Sequence, residues 1–520
     1  MTFHDAVTIN RRGTPTFVRV YDILLLLTIP AYLFLNLFTL HNIPHYIVSD
    51  DGLFILDGLR MGAGQWIYRD FFQFNAPGID YVFFFAFKLF GARAWVPNLV
   101  TLLLGTSLSW MTLYLARRIM PRSWADLTTI LFVVFLYGRW LDATHHWFSL
   151  FAILLAITVV LPDCSPSRIA IAGALIGTAA FFTQTAGAAA WLAFAVTLFY
   201  EHTSAAMQPS MLRKQASLFL PAALVWYLLS AQTLNHVGWH TLWYFQFTFP
   251  QRYELRVDDN PIAVVLRLFP HKISFLQIEN VVFYLLLLCT TPVALCVLLW
   301  KRLRNQAELQ AGQMPILLLA TVGFLLMAEV VTRPTWIRLY AVFLPSLMVL
   351  FAMLALPLRT RPRLNRLLML VLLSAATLSA FRQTSINRAM YSSITSLPAG
   401  EIALPQLDTE ELRFLAQHTH PGDMFFQAFA VYLYLPLALH SPVYMDYLRQ
   451  SSVTRPEFLA NAVRALETNH VRYVALRPAS DITFSHAESH HLDPLYSWVE
   501  AHYTFVQRFP NNEELWELRR

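Results

Sequence analysis

The constraint that decides what this sequence can become is the recurrence of apolar runs separated by short polar stretches. A helix needs about 20 mostly apolar residues to cross the hydrocarbon core of a bilayer, and its backbone groups then satisfy one another inside lipid. Such runs occupy roughly residues 20–40, 94–117, 124–138, 145–161, 168–183, 186–200, 215–234, 279–300, 314–332, 337–357 and 365–381. By the length rule they make about eleven crossings. Charged residues are 13% of the 520 positions, against about 25% in a soluble domain. The fold class is therefore a polytopic α-helical membrane protein. The apolar stretch 79–90 is short, and fits either an extension of the second span or a helix in the interface.

The first run follows Arg11, Arg12 and Arg19. It is too long for a signal-peptide core and no small-residue cleavage site follows it. It reads as an uncleaved anchor with the N-terminus in the cytoplasm of a cell bearing this multi-pass protein in its inner or plasma membrane. Alternating sides then puts Arg117, Arg118 and Arg122, Arg213 and Lys214, Lys301, Arg302 and Arg304, and Arg359, Arg361, Arg363 and Arg366 inside. That satisfies the positive-inside rule. Runs 168–183 and 186–200 have almost no loop between them. Read as one tilted helix, they would invert every later side and spoil the cation pattern.

The net charge of +6 is spread in short patches between apolar runs, which excludes a nucleic-acid-binding domain as its cause. Cys164, Cys289 and Cys296 show no metal-binding spacing. Three segments fall outside: loop 41–78, loop 235–278 and a tail from about residue 382. A domain boundary near 381/382 separates the membrane body from this soluble tail. In the tail, Asp408-Thr409-Glu410-Glu411 and Thr454-Arg455-Pro456-Glu457 have capping-box spacing. Asp423-Met424-Phe425-Phe426 and the stretch Val471 to Leu476 read as strands. Helices alternating with short apolar strands predict a small α/β domain.

Loop 41–78 is the first candidate site. Asp50 and Asp51 stand just beyond the first span, ahead of a predicted helix over 51–63 that carries Leu53, Leu56 and Leu59 and would lie along the membrane surface. Two adjacent carboxylates repel, so one keeps a raised pKa, which suits proton abstraction. A helix N-terminus also stabilises negative charge, and an Asp there is often only a cap. The Tyr68-Arg69-Asp70 cluster and the Pro77-Gly78 turn belong to the same loop. A second candidate is Asp142 with His145 and His146, three and four residues on. On a helical turn they can face one point and hold a divalent metal or a phosphate, or else remain polar residues bonded to water at a span end. In loop 235–278, Arg252 and Arg256 lie among aromatic residues. They read as lipid-phosphate ligands or as solvated charges among interfacial anchors.

Together these residues resemble the first external loop of GT-C glycosyltransferases, the protein O-mannosyltransferase and lipid A aminoarabinose transferase relatives above all. The resemblance rests on Asp50-Asp51, Gly64, Tyr68-Arg69-Asp70, Pro77-Gly78 and Phe90-Gly91. It is specific over 45–91 and extends in layout over about 20–380. It implies that Asp50 is the base and Asp51 its acidic neighbour, with Asp142 near a bound metal in some relatives. Two family lysines are replaced, one by Ala76 and one by Gln184 after Gly177. Donor-phosphate binding then falls to Tyr68, Arg69, Arg252, Arg256 and Gln184. The implied reaction is an inverting transfer of one sugar from a polyprenyl-phosphate carrier to a hydroxyl on a protein, lipid or glycan, at the outer face. The rival readings are a transporter or flippase of a lipid-linked saccharide, an O-antigen ligase or polymerase, and a non-catalytic scaffold. A flippase would need mid-membrane charges and paired broken helices, and few buried charges stand in these runs.

Overall fold

The computed structural model describes residues 16–46, 51–201, 209–254, 275–305, 314–331, 336–448, 453–478 and 491–519. The helical body begins with α1 (Thr16–Leu37), α2 (Asp51–Gly62), α3 (Gly78–Phe90), α4 (Trp95–Ile119), α5 (Arg122–Leu131) and α6 (His145–Val160). It continues with α7 (Pro166–Phe182), α8 (Gln184–Glu201), α9 (Pro209–Val237), the short α10 (Trp239–Trp243), α11 (Phe275–Asn305), α12 (Met314–Val331), α13 (Trp336–Leu358) and α14 (Pro362–Met390).

Five of these are long and apolar enough to cross a membrane: α1 from Val20, α4, α9 from Met211, α13 from Arg338, and α14. Shorter apolar helices occupy α6, α7, and stretches of α8, α11 and α12. The segment expected at 124–138 is α5, which widens into a π-helix (Phe132–Leu136) and tightens into a 3₁₀ turn (Tyr137–Arg139). Gly138 permits that change of winding, because a Cβ there would overlap the Val133 carbonyl. Helices α7 and α8 are separate, with only Thr183 between them. The stretch 79–90 is also its own helix, ended by Gly91 at φ 78°.

Small residues set the closest helix contact. Gly173 and Gly177, four apart on α7, face the Leu218 and Ala222 carbonyls of α9, where any Cβ would overlap backbone. In lipid, where burying apolar surface gives little, such backbone approach is what dispersion rewards. On α14, Leu364, Leu367, Leu370, Val371, Leu378 and Phe381 are exposed. A helix apolar on its outer face has lipid, not water, as its solvent. One end of the bundle carries ion pairs: Arg117 bonds Asp22 at 2.8 Å and Asp126 at 2.7 Å, and Arg122 also bonds Asp22. Asp22 therefore has two cationic partners and is not simply solvated.

At the opposite end sits the tail. A β1–β2 hairpin (Ser393–Leu397, Gly400–Leu404) leads to α15 (Gln406–His418), β3 (Phe425–Gln427), α16 (Tyr434–Leu437), α17 (Pro456–Thr468), β4 (Tyr473–Leu476), α18 (Asp493–His502), β5 (Tyr503–Arg508) and β6 (Glu514–Leu518). The second sheet runs β3-β4-β6-β5, with β3 parallel to β4 and the other pairs antiparallel. Helices α15 and α17 have Pro405 and Arg455 at their N-caps, and neither residue makes a side-chain cap. The expected capping box at Asp408 is instead a polar cluster: Asn511 donates to Glu411 at 2.6 Å and to Asp408 at 3.2 Å. Tertiary partners outcompete the local cap here.

The tail is stitched to loop 41–78. Tyr46 N–H donates to the Ala403 carbonyl and Ala403 N–H to the Pro44 carbonyl, both at 2.9 Å, so the loop adds a strand-like edge to β2. Phe72 N–H donates to the Tyr444 carbonyl at 2.7 Å. As a result α2 does not lie on a surface. Phe54, Ile55, Leu56, Asp57, Arg60 and Met61 are all buried, between the bundle on one side and the tail on the other.

Candidate active site at the tail end of the bundle

Asp51 opens α2 and is fully buried. Its Oδ2 accepts the Ala143 N–H at 2.7 Å, across 92 positions of sequence. Asp142, the next residue back, is equally buried, and its Oδ1 accepts the Trp147 indole N–H at 3.2 Å. Tyr137 donates to the Thr101 carbonyl at 2.6 Å, which fixes the base of the same turn. The start of α2 and the turn before α6 are thereby locked together. The carboxylate–amide bond is the kind that holds a backbone segment at a defined distance.

His145 and His146 open α6, with ring centroids 4.0 Å apart. His145 meets the Phe54 ring edge-on at 5.4 Å, and its carbonyl accepts the Thr183 hydroxyl at 3.3 Å. Arg338, at the start of α13, lies within electrostatic range of both imidazoles. The structure thus gathers Asp51, Asp142, His145, His146 and Arg338 from three helix starts. Their nearness does not make a metal cage: among the described residues no group of three His, Cys, Asp or Glu side chains is disposed to hold a metal. Asp142 Oδ1 is taken by the Trp147 indole, and His145 packs on Phe54.

Of the expected phosphate ligands, Tyr68, Arg69 and Gln184 have partners within the protein. Tyr68 takes a left-handed φ of 68° and is buried. Its hydroxyl donates to the Asn75 carbonyl at 2.5 Å and accepts from Gln246 at 3.1 Å. Burial pushes that phenol well above its ordinary pKa. Arg69 is half exposed and forms a two-pronged pair with Asp70, at 2.9 and 2.7 Å. Hydrogen bonding to Arg69 in turn holds Asp70 below the usual carboxylate range. Gln184 donates to the Gln246 carbonyl at 2.8 Å and so tethers the π-helical turn Tyr244–Thr248 above loop 68–75. Arg252 is exposed on the following π-helical turn. Asp50 and Arg256 lie outside the described residues.

Four charged residues that the sequence reading passed over are fully interior. Arg60 of α2 bonds Asp446 of the tail at 2.5 Å, the Val443 carbonyl at 2.8 Å and the Asp70 carbonyl at 3.1 Å, and lies over the Phe71 ring. Asp57 of α2 faces Asp80 of α3, and both are 0% exposed. An ionisable residue inside an apolar segment is the signal that would have found Asp57 and Asp80. A cavity of about 30 Å³ lies at the seam, lined by His45, Tyr46, Gly52, Asn98 and Tyr432. That is room for one or two waters and not for a sugar.

No protein-family model matches this sequence, and no curated protein does. Among solved structures the chain is similar to the oligosaccharyltransferase of Archaeoglobus fulgidus in its complex with Zn and sulfate, at 12% identity and a TM-score of 0.45, over 95% of this chain and 73% of that one. It is also similar to ArnT of Cupriavidus metallidurans bound to undecaprenyl phosphate, at 13% identity and a TM-score of 0.43, over 95% of this chain and 97% of that one. Arabinosyltransferase EmbB of Mycobacterium smegmatis matches 66% of this chain and 31% of its own at 14% identity and a TM-score of 0.39. All three are GT-C glycosyltransferases, the family that loop 41–78 resembles. With every TM-score under 0.5, the functional reading stands on this chain's own residues.

Proposed function

We propose that this chain is an inverting GT-C-type glycosyltransferase. It moves one sugar from a polyprenyl-phosphate carrier to a hydroxyl acceptor, at the face of the membrane that bears loop 41–78 and the tail. The observation that carries the reading is the meeting of Asp51 and Asp142 at apolar helix ends, beside His145, His146 and Arg338. Carboxylates next to a cation, at the level where a lipid headgroup lies, suit the removal of a proton and the stabilisation of a phosphate.

In this mechanism Asp50 accepts the proton of the acceptor hydroxyl. The oxygen attacks the anomeric carbon on the face opposite the phosphate, and the carbon–oxygen bond to phosphate breaks with its electron pair. The lipid phosphate leaves as an anion. Asp51, whose Oδ2 holds the Ala143 N–H, keeps the base and the 140–144 turn in register. Because Arg69 is engaged by Asp70, the cations proposed for the leaving phosphate are Arg338, Arg252 and Arg256, Arg in each case offering a two-pronged donor.

The test is sugar transfer from a polyprenyl-phosphate donor in proteoliposomes. Asp50→Asn should lower transfer by about 10²–10⁴-fold, the range for a lost general base, with expression and membrane insertion unchanged. Wild-type rates from that variant would remove Asp50 from the mechanism. Wild-type protein that moves the donor across the bilayer without transferring its sugar would replace the enzyme by a flippase.

A further inference from the structure

We propose that Asp57 and Asp80 share a proton across the α2–α3 contact, and that this proton seats the helix that carries Asp51. Asp57 stands on α2 between Asp51, at the candidate active site, and Arg60, which grips the tail. Both carboxyls are fully buried. The two side chains are near enough that each bears on the charge of the other. Asp57 Oδ2 accepts from Gln73 Nε2 at 2.9 Å. Among the described residues, no donor reaches Asp57 Oδ1 or either oxygen of Asp80. Gly58 brings α2 so close to α3 that a Cβ there would come within 2.7 Å of Phe83 Cβ, so the two carboxyls meet in a tight contact.

The groups facing the pair are few: Gln73 and Tyr68 from the loop, Tyr81 from α3, Arg60 from α2 and Asp446 from the tail. Arg60 is the one cation among them, and its guanidinium is taken by Asp446 at 2.5 Å. Two facing carboxylates without a cation of their own cannot both ionise in a dry contact. Burial pushes Asp57 up to about 8 and Asp80 well above its ordinary range. A proton between the two oxygens satisfies one lone pair and halves the charge. It does for α2 and α3 what a cap or a salt bridge does elsewhere.

The lock concerns folding and is independent of the proposed reaction; only its effect on transfer rests on that reaction. The test uses full-length protein in detergent and in proteoliposomes. Wild-type melting temperature should carry a term that falls as pH rises from about 4 to about 8 and levels off above it, because across that window the folded form holds a proton the unfolded form has lost. Asp57→Asn and Asp80→Asn keep a donor and remove one ionisation, so their profiles should be flatter. Transfer by wild type should drop about tenfold between about pH 8 and about pH 9, while each variant holds its rate within about twofold. Parallel melting profiles for all three proteins overturn the lock. So does a calcium or magnesium ion that raises the melting temperature of wild type alone, since a metal would then be the occupant. Should both variants fail to fold, infrared spectra of wild type decide: a protonated-carboxyl C=O band at neutral pH that vanishes at alkaline pH is expected, and its absence overturns the proposal. Flattened melting profiles with no transfer by any protein would keep the lock and discard the glycosyltransferase.

Discussion

His45 and Asp57 lie in the same loop region and respond to pH with opposite signs. His45 donates from Nδ1 to the Asn36 carbonyl at 2.9 Å, stacks on Tyr391 at 4.4 Å, and is held down to a pKa of about 4 by burial. Its folded pKa is depressed, so its contribution is fully present above about 6.5 and is lost as pH falls toward about 4. The loss is on the order of 3 kcal/mol at the acid end. The expected outcome is that His45→Gln gains melting temperature relative to wild type as pH falls from about 6.5 to about 4, read by calorimetry. Asp57, whose folded pKa is raised, costs stability on the alkaline side instead. Asp51 offers a cleaner separation of packing from chemistry. Asn at position 51 can still accept the Ala143 N–H, and Ala cannot. Asp51→Ala should therefore melt lower than Asp51→Asn by the equivalent of about 1–3 kcal/mol, the cost of orphaning a buried donor. Equal melting temperatures would mean that the 2.7 Å bond is not what holds the turn.

At the scale of elements, glycine decides how closely helices approach. Gly177 on α7 meets the Ala222 carbonyl of α9, and Gly58 on α2 meets Phe83 on α3. Gly177→Val should force the α7–α9 crossing apart and cost about 1–3 kcal/mol or more, seen as reduced folded yield in detergent. Gly64, with φ 87° and open space around it, is a different case, where a side chain strains the backbone but meets nothing. The apolar runs made nearly every helix legible, because an uninterrupted apolar stretch has few ways to satisfy its backbone in lipid. The predicted helix over 51–63 is α2, ending at Gly62. The capping boxes of the tail were not legible in the same way. Asp408 and Glu411 have the right spacing, yet Asn511, a hundred positions from Glu411, claims them. Local spacing states what a side chain can reach, and the fold chooses among the partners within reach.

Across the whole molecule, the tail is a structural part of the loop that carries the candidate site. Arg60 reaches from α2 to Asp446 and Val443, Tyr444 donates to the Tyr68 carbonyl at 2.9 Å, and Tyr46 pairs with Ala403. A chain ended after Met390 would expose Ile55, Tyr46 and Phe72 and leave Arg60 without its buried anion. Limited proteolysis of that truncation should cut within 44–75, where the full chain resists. A protected loop in the truncated protein would show that α2 holds without the tail. Breaking the ion pair alone, by Asp446→Ala, should cost about 3–5 kcal/mol because it strands a buried guanidinium. The sequence by itself determined the membrane character, the helix succession, the acidic start of α2 and the α/β character of the tail, because hydrophobic length and period are properties of short segments. Only the tertiary structure decided that Asp51 serves Ala143, that Tyr68 faces inward partners, that Asp142 and the histidines do not form a metal cluster, and that Asp57 confronts Asp80. Each of those outcomes depends on which distant backbone arrives within 3 Å, and no local pattern encodes that distance.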